Sequence, residues 1–274
     1  MKTTKFIHTN SNSLAPTEIA QKTIEIGQQK ANLKWWKMLL LSIFAGMFIG
    51  LAATGATFGN VYAGKLAGAC IFTAGLAMVV VAGSELFTGN NLMLMALFGG
   101  KIGLAKLLKN WLLVFLGNFL GALFVAVLVT LSGTFNQVSD TVIATATAKT
   151  DFTFFEALLK GILCNFLVCI AVWMSFSASS TEGKIIAVFF PVMLFVLCGF
   201  EHSVANMFYI PAGILQGAFT GVAAPSIQAF LLHNLLPVTL GNIIGGAILV
   251  SGGYYLAYHT SKKPNKTIKS KSRS

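Results

Sequence analysis

Six stretches of this chain are long and apolar, and two of the six carry polar residues near their middles. A helix needs roughly 20 mostly apolar residues to cross a bilayer. Plain spans are predicted at about 38–58, 107–131, 154–176 and 234–258. The stretch 66–98 is too long for one plain helix and contains GSELFTGNN, and 185–215 is broken by GFEHSVAN. Ahead of the first span, Pro16 to Ala31 reads as a helix, with Pro16 and Glu18 suited to its first turn and Ile19, Ile24 and Ile26 forming an apolar stripe. Trp35 and Trp36, flanked by Lys34 and Lys37, fit an interfacial belt.

The pattern repeats. LLKNWLLVFLGNFLGAL at 107–123 and LLHNLLPVTLGNIIGGA at 231–247 agree at nine of seventeen positions, at a constant offset of 124. Upstream, Gly83, Glu85 and Asn90 match Gly199, Glu201 and Asn206 as G-x-E-x4-N. The chain is a tandem duplication, with repeats over about 38–131 and 154–258. Three spans per copy is odd, so the copies face opposite ways. Inverted repeats of this kind place a substrate site near the bilayer midplane, at the repeat interface.

Composition supports a membrane protein. The 274 residues are 55% hydrophobic and only 10% charged, against about 25% charged in soluble domains. The net charge of +11 does not indicate nucleic acid, because the basic residues sit in tails and loops. Six lysines precede the first span, and five lysines with Arg273 follow Ser261. Lys101, Lys106, Lys109 and Lys184 lie in connections on the same side if both termini are cytoplasmic. That places 16 of 19 basic residues inside, leaving Lys65, Lys149 and Lys160 for the outer side or span edges. The expected organisation is a cytoplasmic segment 1–37, a six-span pore domain 38–258 and a basic cytoplasmic tail 259–274. The first 37 residues lack the apolar core of a cleavable signal sequence.

The interruptions carry the chemistry. A charge at the bilayer centre costs about 2.5–3.5 kcal/mol on insertion scales, so Glu85 and Glu201 must face protein or a water-filled cavity. A loop-structuring role for both carboxylates, with Asn90 and Asn206, is preferred over direct substrate contact. Helix N-termini at such breaks present amides suited to an anion. His202 follows the second glutamate, inside the break, and histidine changes charge near neutral pH. His8 and His259 lie in or near the tails and His233 opens the last span. Cys70, Cys164, Cys169 and Cys198 sit in apolar runs without ligand spacing, so no metal, cofactor or enzyme activity is expected.

SELFTGNNLM, KGILCNFLVCIAVW and FEHSVANMFYIP, with ANLKWWKMLLLSIFAGMFIG at the first span, resemble the formate/nitrite transporter family over about residues 15–258. The resemblance implies an all-α, aquaporin-like fold of six transmembrane helices with the second and fifth broken, assembled as a homopentamer with one pore per subunit. It places the family's pore histidine on His202, its loop threonine on Thr88, its fourth-span asparagine on Asn165 and its lysine ahead of that span on Lys149. An outer constriction falls on Phe72, Leu76 and Phe195, and an inner one on Leu86 and Phe87. The implied cargo is a small monovalent anion, formate first, with nitrite or hydrosulfide as alternatives, moving with protons across the cell membrane. An aquaporin-type neutral-solute channel is the competing class, but the loops read TGNN and SVAN rather than paired N-P-A.

Overall fold

The computed structural model describes residues 13–258. The expected basic tail at 259–274, together with His8 and His259, lies outside them. Nine helices account for nearly all of the described chain: α1 Pro16–Ala31, α2 Trp35–Ala82, α3 Phe87–Phe98, α4 Leu104–Leu131, α5 Ser139–Thr150, α6 Phe154–Ser177, α7 Thr181–Cys198, α8 Ser203–Thr220 and α9 Ile227–Tyr258. The only extended pairing among the described residues is an isolated bridge between Ser13 and Ala178.

α2 is two spans. Gly64 adopts φ 83°, ψ 170° within it, a conformation open to glycine but costly for a side chain. The chain reverses there: a Cβ on Gly59 would meet Gly68, and one on Gly75 would meet Ala52 and Ile49. Two antiparallel limbs therefore replace the loop expected at about 58–66. The second repeat makes the same hairpin from α6 and α7. Counting α3 and α8 as the second halves of broken spans gives six crossings in two inverted sets of three.

The equivalent helices pack through glycine. A Cβ at Gly121 would run into the Ile43 carbonyl, and one at Gly245 into the Ile162 carbonyl. Close backbone approach through small residues is how helices associate where lipid provides no hydrophobic drive. The α9 span differs from α4 in winding as π-helix over Phe230–Leu235 and Ile244–Gly252. There Ser251 Oγ donates to the Gly246 carbonyl at 3.1 Å and the Asn91 carbonyl at 3.0 Å.

The helix α5 is an element the hydropathy pattern does not predict. It pairs with α1, because each ends in a lysine aimed at a broken span. α1 is held in place by Lys22 Nζ on the Phe176 carbonyl (2.9 Å) and Leu14 N–H on the Ser177 carbonyl (3.0 Å). Ile19, Ala20 and Ile24, the buried face of its stripe, pack with Met93, Met95, Ala96 and Trp173.

Candidate functional site

Both broken spans are built alike. Gly83 and Gly199 take left-handed φ of 76° and 71° and end α2 and α7. Three residues then run outside any helix, closing on extended Leu86 (φ −108°, ψ 125°) and His202 (φ −106°, ψ 116°), from which α3 and α8 start. Open backbone at membrane depth must find internal partners. One asparagine per repeat supplies most of them. Asn118 Oδ1 accepts the Phe87 N–H (2.8 Å), and its Nδ2 donates to the Glu85 (2.9 Å) and Ser42 (2.8 Å) carbonyls. Asn242 does the same for the Ser203 N–H (2.9 Å) and the Glu201 (3.0 Å) and Gly161 (2.8 Å) carbonyls. Glu85 and Glu201 N–H groups donate to the Leu41 and Lys160 carbonyls, both at 3.3 Å.

The glutamates are held as buried ion pairs. Lys30 Nζ lies 2.7 Å from Glu85 Oε1, and Lys149 Nζ 2.9 Å from Glu201 Oε1, with carboxylates only 5% and 4% exposed. Asn90 Nδ2 donates to Glu85 Oε2 and to Asn110 Oδ1 (2.7 and 2.9 Å), and Asn206 Nδ2 to Glu201 Oε2 and Asn234 Oδ1 (both 2.7 Å). The carboxylates thus bind side chains rather than capping backbone amides. Lys149 also sits over the Tyr209 ring, 5.4 Å from its centre.

His202 is the point where the breaks meet. Its Nδ1 accepts the Ala205 N–H at 3.0 Å, making it the N-cap of α8, and its Nε2 lies 2.8 Å from Thr88 Oγ1. An Nδ1 that accepts holds no proton, which assigns the ring proton to Nε2 and makes Thr88 Oγ1 its acceptor. The ring stacks on Phe195 (centroids 5.9 Å, 22°), which in turn meets Phe72 edge-on (5.9 Å, 84°).

Three hollows adjoin one another through shared lining residues around this point. A cavity of about 350 Å³ is bordered by α1 and the first break, including Lys30, Glu85, Asn90, Leu76 and Leu86. A second, of about 460 Å³, is bordered by α5 and the second break, including Lys149, Lys160, Glu201, His202, Phe72 and Phe195. Between them Ile49, Phe72, Leu76, Leu86, Val168, Val192, Phe195 and His202 leave about 10 Å³ in which a water could be centred. That is room for about one water. An ion stripped of its hydration there faces a cost far above that of a neutral polar molecule.

The expected pathway and constriction residues divide by whether they border these hollows, Lys149 lying in the second. His202, Thr88, Phe72, Phe195, Leu76 and Leu86 converge on or beside the narrow void, with Leu76 bordering the first cavity beside Leu86 rather than the second. Phe87 stands apart from them: its ring packs on Trp111 and Phe115 (centroids 6.3 and 5.1 Å) and borders none of the three hollows. Its N–H is turned to Asn118, which rotates the side chain toward α4. Asn165 also borders none of them; its Nδ2 donates to the Asn242 (2.7 Å) and Thr88 (3.3 Å) carbonyls and ties the first break to α9. Sequence reasoning missed Lys30, Asn110, Asn118, Asn234 and Asn242. The four asparagines were visible as identities between the two copies at the 124-residue offset, and Lys30 as a lysine in the last turn of α1. Among the described residues no three His, Cys, Asp or Glu side chains converge as metal ligands.

Comparison with known proteins agrees with this architecture. The family model described as formate/nitrite transporter matches residues 17–256. The chain is 41% identical over 268 residues to the uncharacterized transporter YrhG of Bacillus subtilis, covering 93% of this chain and 97% of that protein. It is 40% identical over 278 residues to the formate channel FocA of Haemophilus influenzae, covering 92% and 96%. A solved pentameric formate channel with formate bound superposes with a TM-score of 0.75 at 37% identity, over 82% of this chain and 98% of that one. The chain belongs to the formate/nitrite transporter family.

Proposed function

We propose that this protein is a proton-coupled pore for small monovalent anions, formate foremost, working as a homopentamer in the cell membrane. The observation that carries this reading is the contact between Thr88 and His202, set in an otherwise apolar void between two lysine-bearing cavities. In this reading the basic connections face the cytoplasm, so both termini, α1 and the first cavity belong to that side and the second cavity to the outside. Residues 38–258 form the pore unit, with 1–37 and 259–274 flanking it on the inner face. The family's named formate channels and the pentameric relative support the cargo and the assembly.

The excess of lysine charge in the second cavity raises the anion concentration there. At the void, loss of water disfavours the charged substrate and raises its pKa. The His202 Nε2–H and the Thr88 hydroxyl turn from each other to the anion's oxygens. A proton passes from Nε2 to the anion as a solvated proton from the entry-side solution reaches Nδ1 through cavity water, Nδ1 releasing the Ala205 N–H. Exchange with the same water afterwards returns the ring to its Nε2–H form. The neutral acid then crosses between Phe195, Phe72, Leu76 and Leu86. Phe87 and Asn165 support this path from behind: one anchors the first break to α4, the other fixes the Thr88 carbonyl.

Stopped-flow uptake into proteoliposomes tests the proposal, with formate, nitrite, hydrosulfide and glycerol as solutes. Formate uptake that rises as external pH falls, without glycerol uptake, is expected. Faster nitrite or hydrosulfide than formate would reassign the cargo, and glycerol flux equal to formate would replace the anion pore with a neutral-solute channel. A folded His202→Asn protein is expected to lose the pH dependence. Its retention would remove the imidazole from the proton path.

A further inference from the structure

The two cavities differ in charge. The first is bordered by one lysine and one glutamate, Lys30 and Glu85, already paired. The second has Lys65, Lys149 and Lys160 against Glu201 alone. Lys149 is committed to Glu201 at 2.9 Å. Lys160 is not committed to a carboxylate, since the only ion pairs among the described residues are those of Lys30 and Lys149. Its Nζ donates to the Gly199 carbonyl at a long 3.3 Å and lies 4.8 Å from the centre of the Phe152 ring. The acid one turn earlier, Glu156, binds the Thr153 N–H and hydroxyl through Oε2, both at 2.8 Å, and acts on Lys160 through space without forming an ion pair with it.

Internal symmetry identifies what Lys160 adds. The Lys160 carbonyl accepts the Glu201 N–H as the Leu41 carbonyl accepts the Glu85 N–H. The two residues occupy one position in the duplicated frame, and each borders its own cavity. The backbone role therefore needs no lysine, because leucine performs it in the other copy. The ammonium is an addition confined to one mouth of the pore.

We propose that Lys160 is the cation that first receives a small carboxylate or other monovalent anion in the second cavity, and that it makes anion binding stronger at that mouth than at the other. Moving Lys160 to an anion gives up one long hydrogen bond and its place over the Phe152 ring, whereas freeing Lys149 would strand the buried Glu201 carboxylate. The inference rests on the anion-pore reading above.

A non-permeating anion measures each mouth separately. Benzenesulfonate stays charged at all working pH values and is too large for a void that holds about one water. Formate flux in proteoliposomes of known orientation is titrated with benzenesulfonate on one side at a time. The wild-type protein is expected to be blocked at lower concentration from the Lys160 side. Lys160→Leu should raise that half-blocking concentration by roughly three- to tenfold and leave the other side within about twofold. Lys160→Arg should retain the wild-type value. Leu41→Lys should strengthen block from the opposite side, a gain that holds even if Lys160→Leu does not assemble. Equal block from both sides in the wild type, or unchanged block in Lys160→Leu, overturns the inference while wild-type formate flux still supports the pore. Absence of formate, nitrite and hydrosulfide flux in the wild type would overturn both.

Discussion

The first and second breaks share a scaffold and differ in what they present. Each has a left-handed glycine, a glutamate paired with a lysine from a short flanking helix, an asparagine five residues on, and two further asparagines from the span behind. On that common frame Leu86 stands opposite His202, Thr88 opposite Val204, and Leu41 opposite Lys160. The first copy supplies a hydroxyl and apolar walls; the second supplies the titratable ring and the extra cation. Duplication built the frame twice, and divergence at a few positions made one polar contact where the halves meet.

The largest expected effects fall on the shared frame. Asn118→Ala and Asn242→Ala each leave one carbonyl and one N–H of a break without partners in a water-poor place. At about 1–3 kcal/mol per orphaned group, either should cost several kcal/mol, seen as loss of assembled protein or a large fall in Tm. Similar losses in both would support the equivalence of the breaks; a severe effect in only one would undo it. Next come Glu85→Gln and Glu201→Gln. Breaking a buried pair costs about 3–5 kcal/mol, reduced here because the lysines are 23% and 16% exposed; about 2 kcal/mol is expected for each, read from thermal unfolding in detergent.

Smaller structural effects separate the unlike positions. His202→Leu makes the second break resemble the first and removes both the α8 cap and the Thr88 bond. A cap loss costs about 0.5–2 kcal/mol, yet formate uptake should fall to the background of empty vesicles. His202→Asn keeps a capping side chain and should lose little stability, so a defect in its pH profile belongs to the proton path. Thr88→Val is the mildest, at about 1 kcal/mol, and should slow uptake without abolishing its pH dependence.

Much of the frame was legible because membranes impose strict rules. Span number and the two interruptions followed from hydropathy, and inversion followed from duplication and charge. The α5 helix was hidden because its residues, SDTVIATATAKT, are too polar and too small for a hydropathy signal. The α1 and α5 equivalence was hidden for the same reason, since only a terminal lysine marks it. The packing of Phe87 against α4 was not legible, because adjacent residues at a helix start point in different directions and motif position does not give direction. The stitching asparagines were in plain sight as repeat identities, but identity between copies does not distinguish packing from hydrogen bonding.

The proposed pore moves formate as its neutral acid through the Thr88–His202 contact. Formate uptake by proteoliposomes, recorded together with internal pH at several clamped membrane potentials, examines this step. One proton entering with each formate, at a rate independent of potential, is the predicted result. A formate flux that follows the potential and leaves internal pH unchanged would mean that the bare anion crosses, contradicting proton transfer at the void.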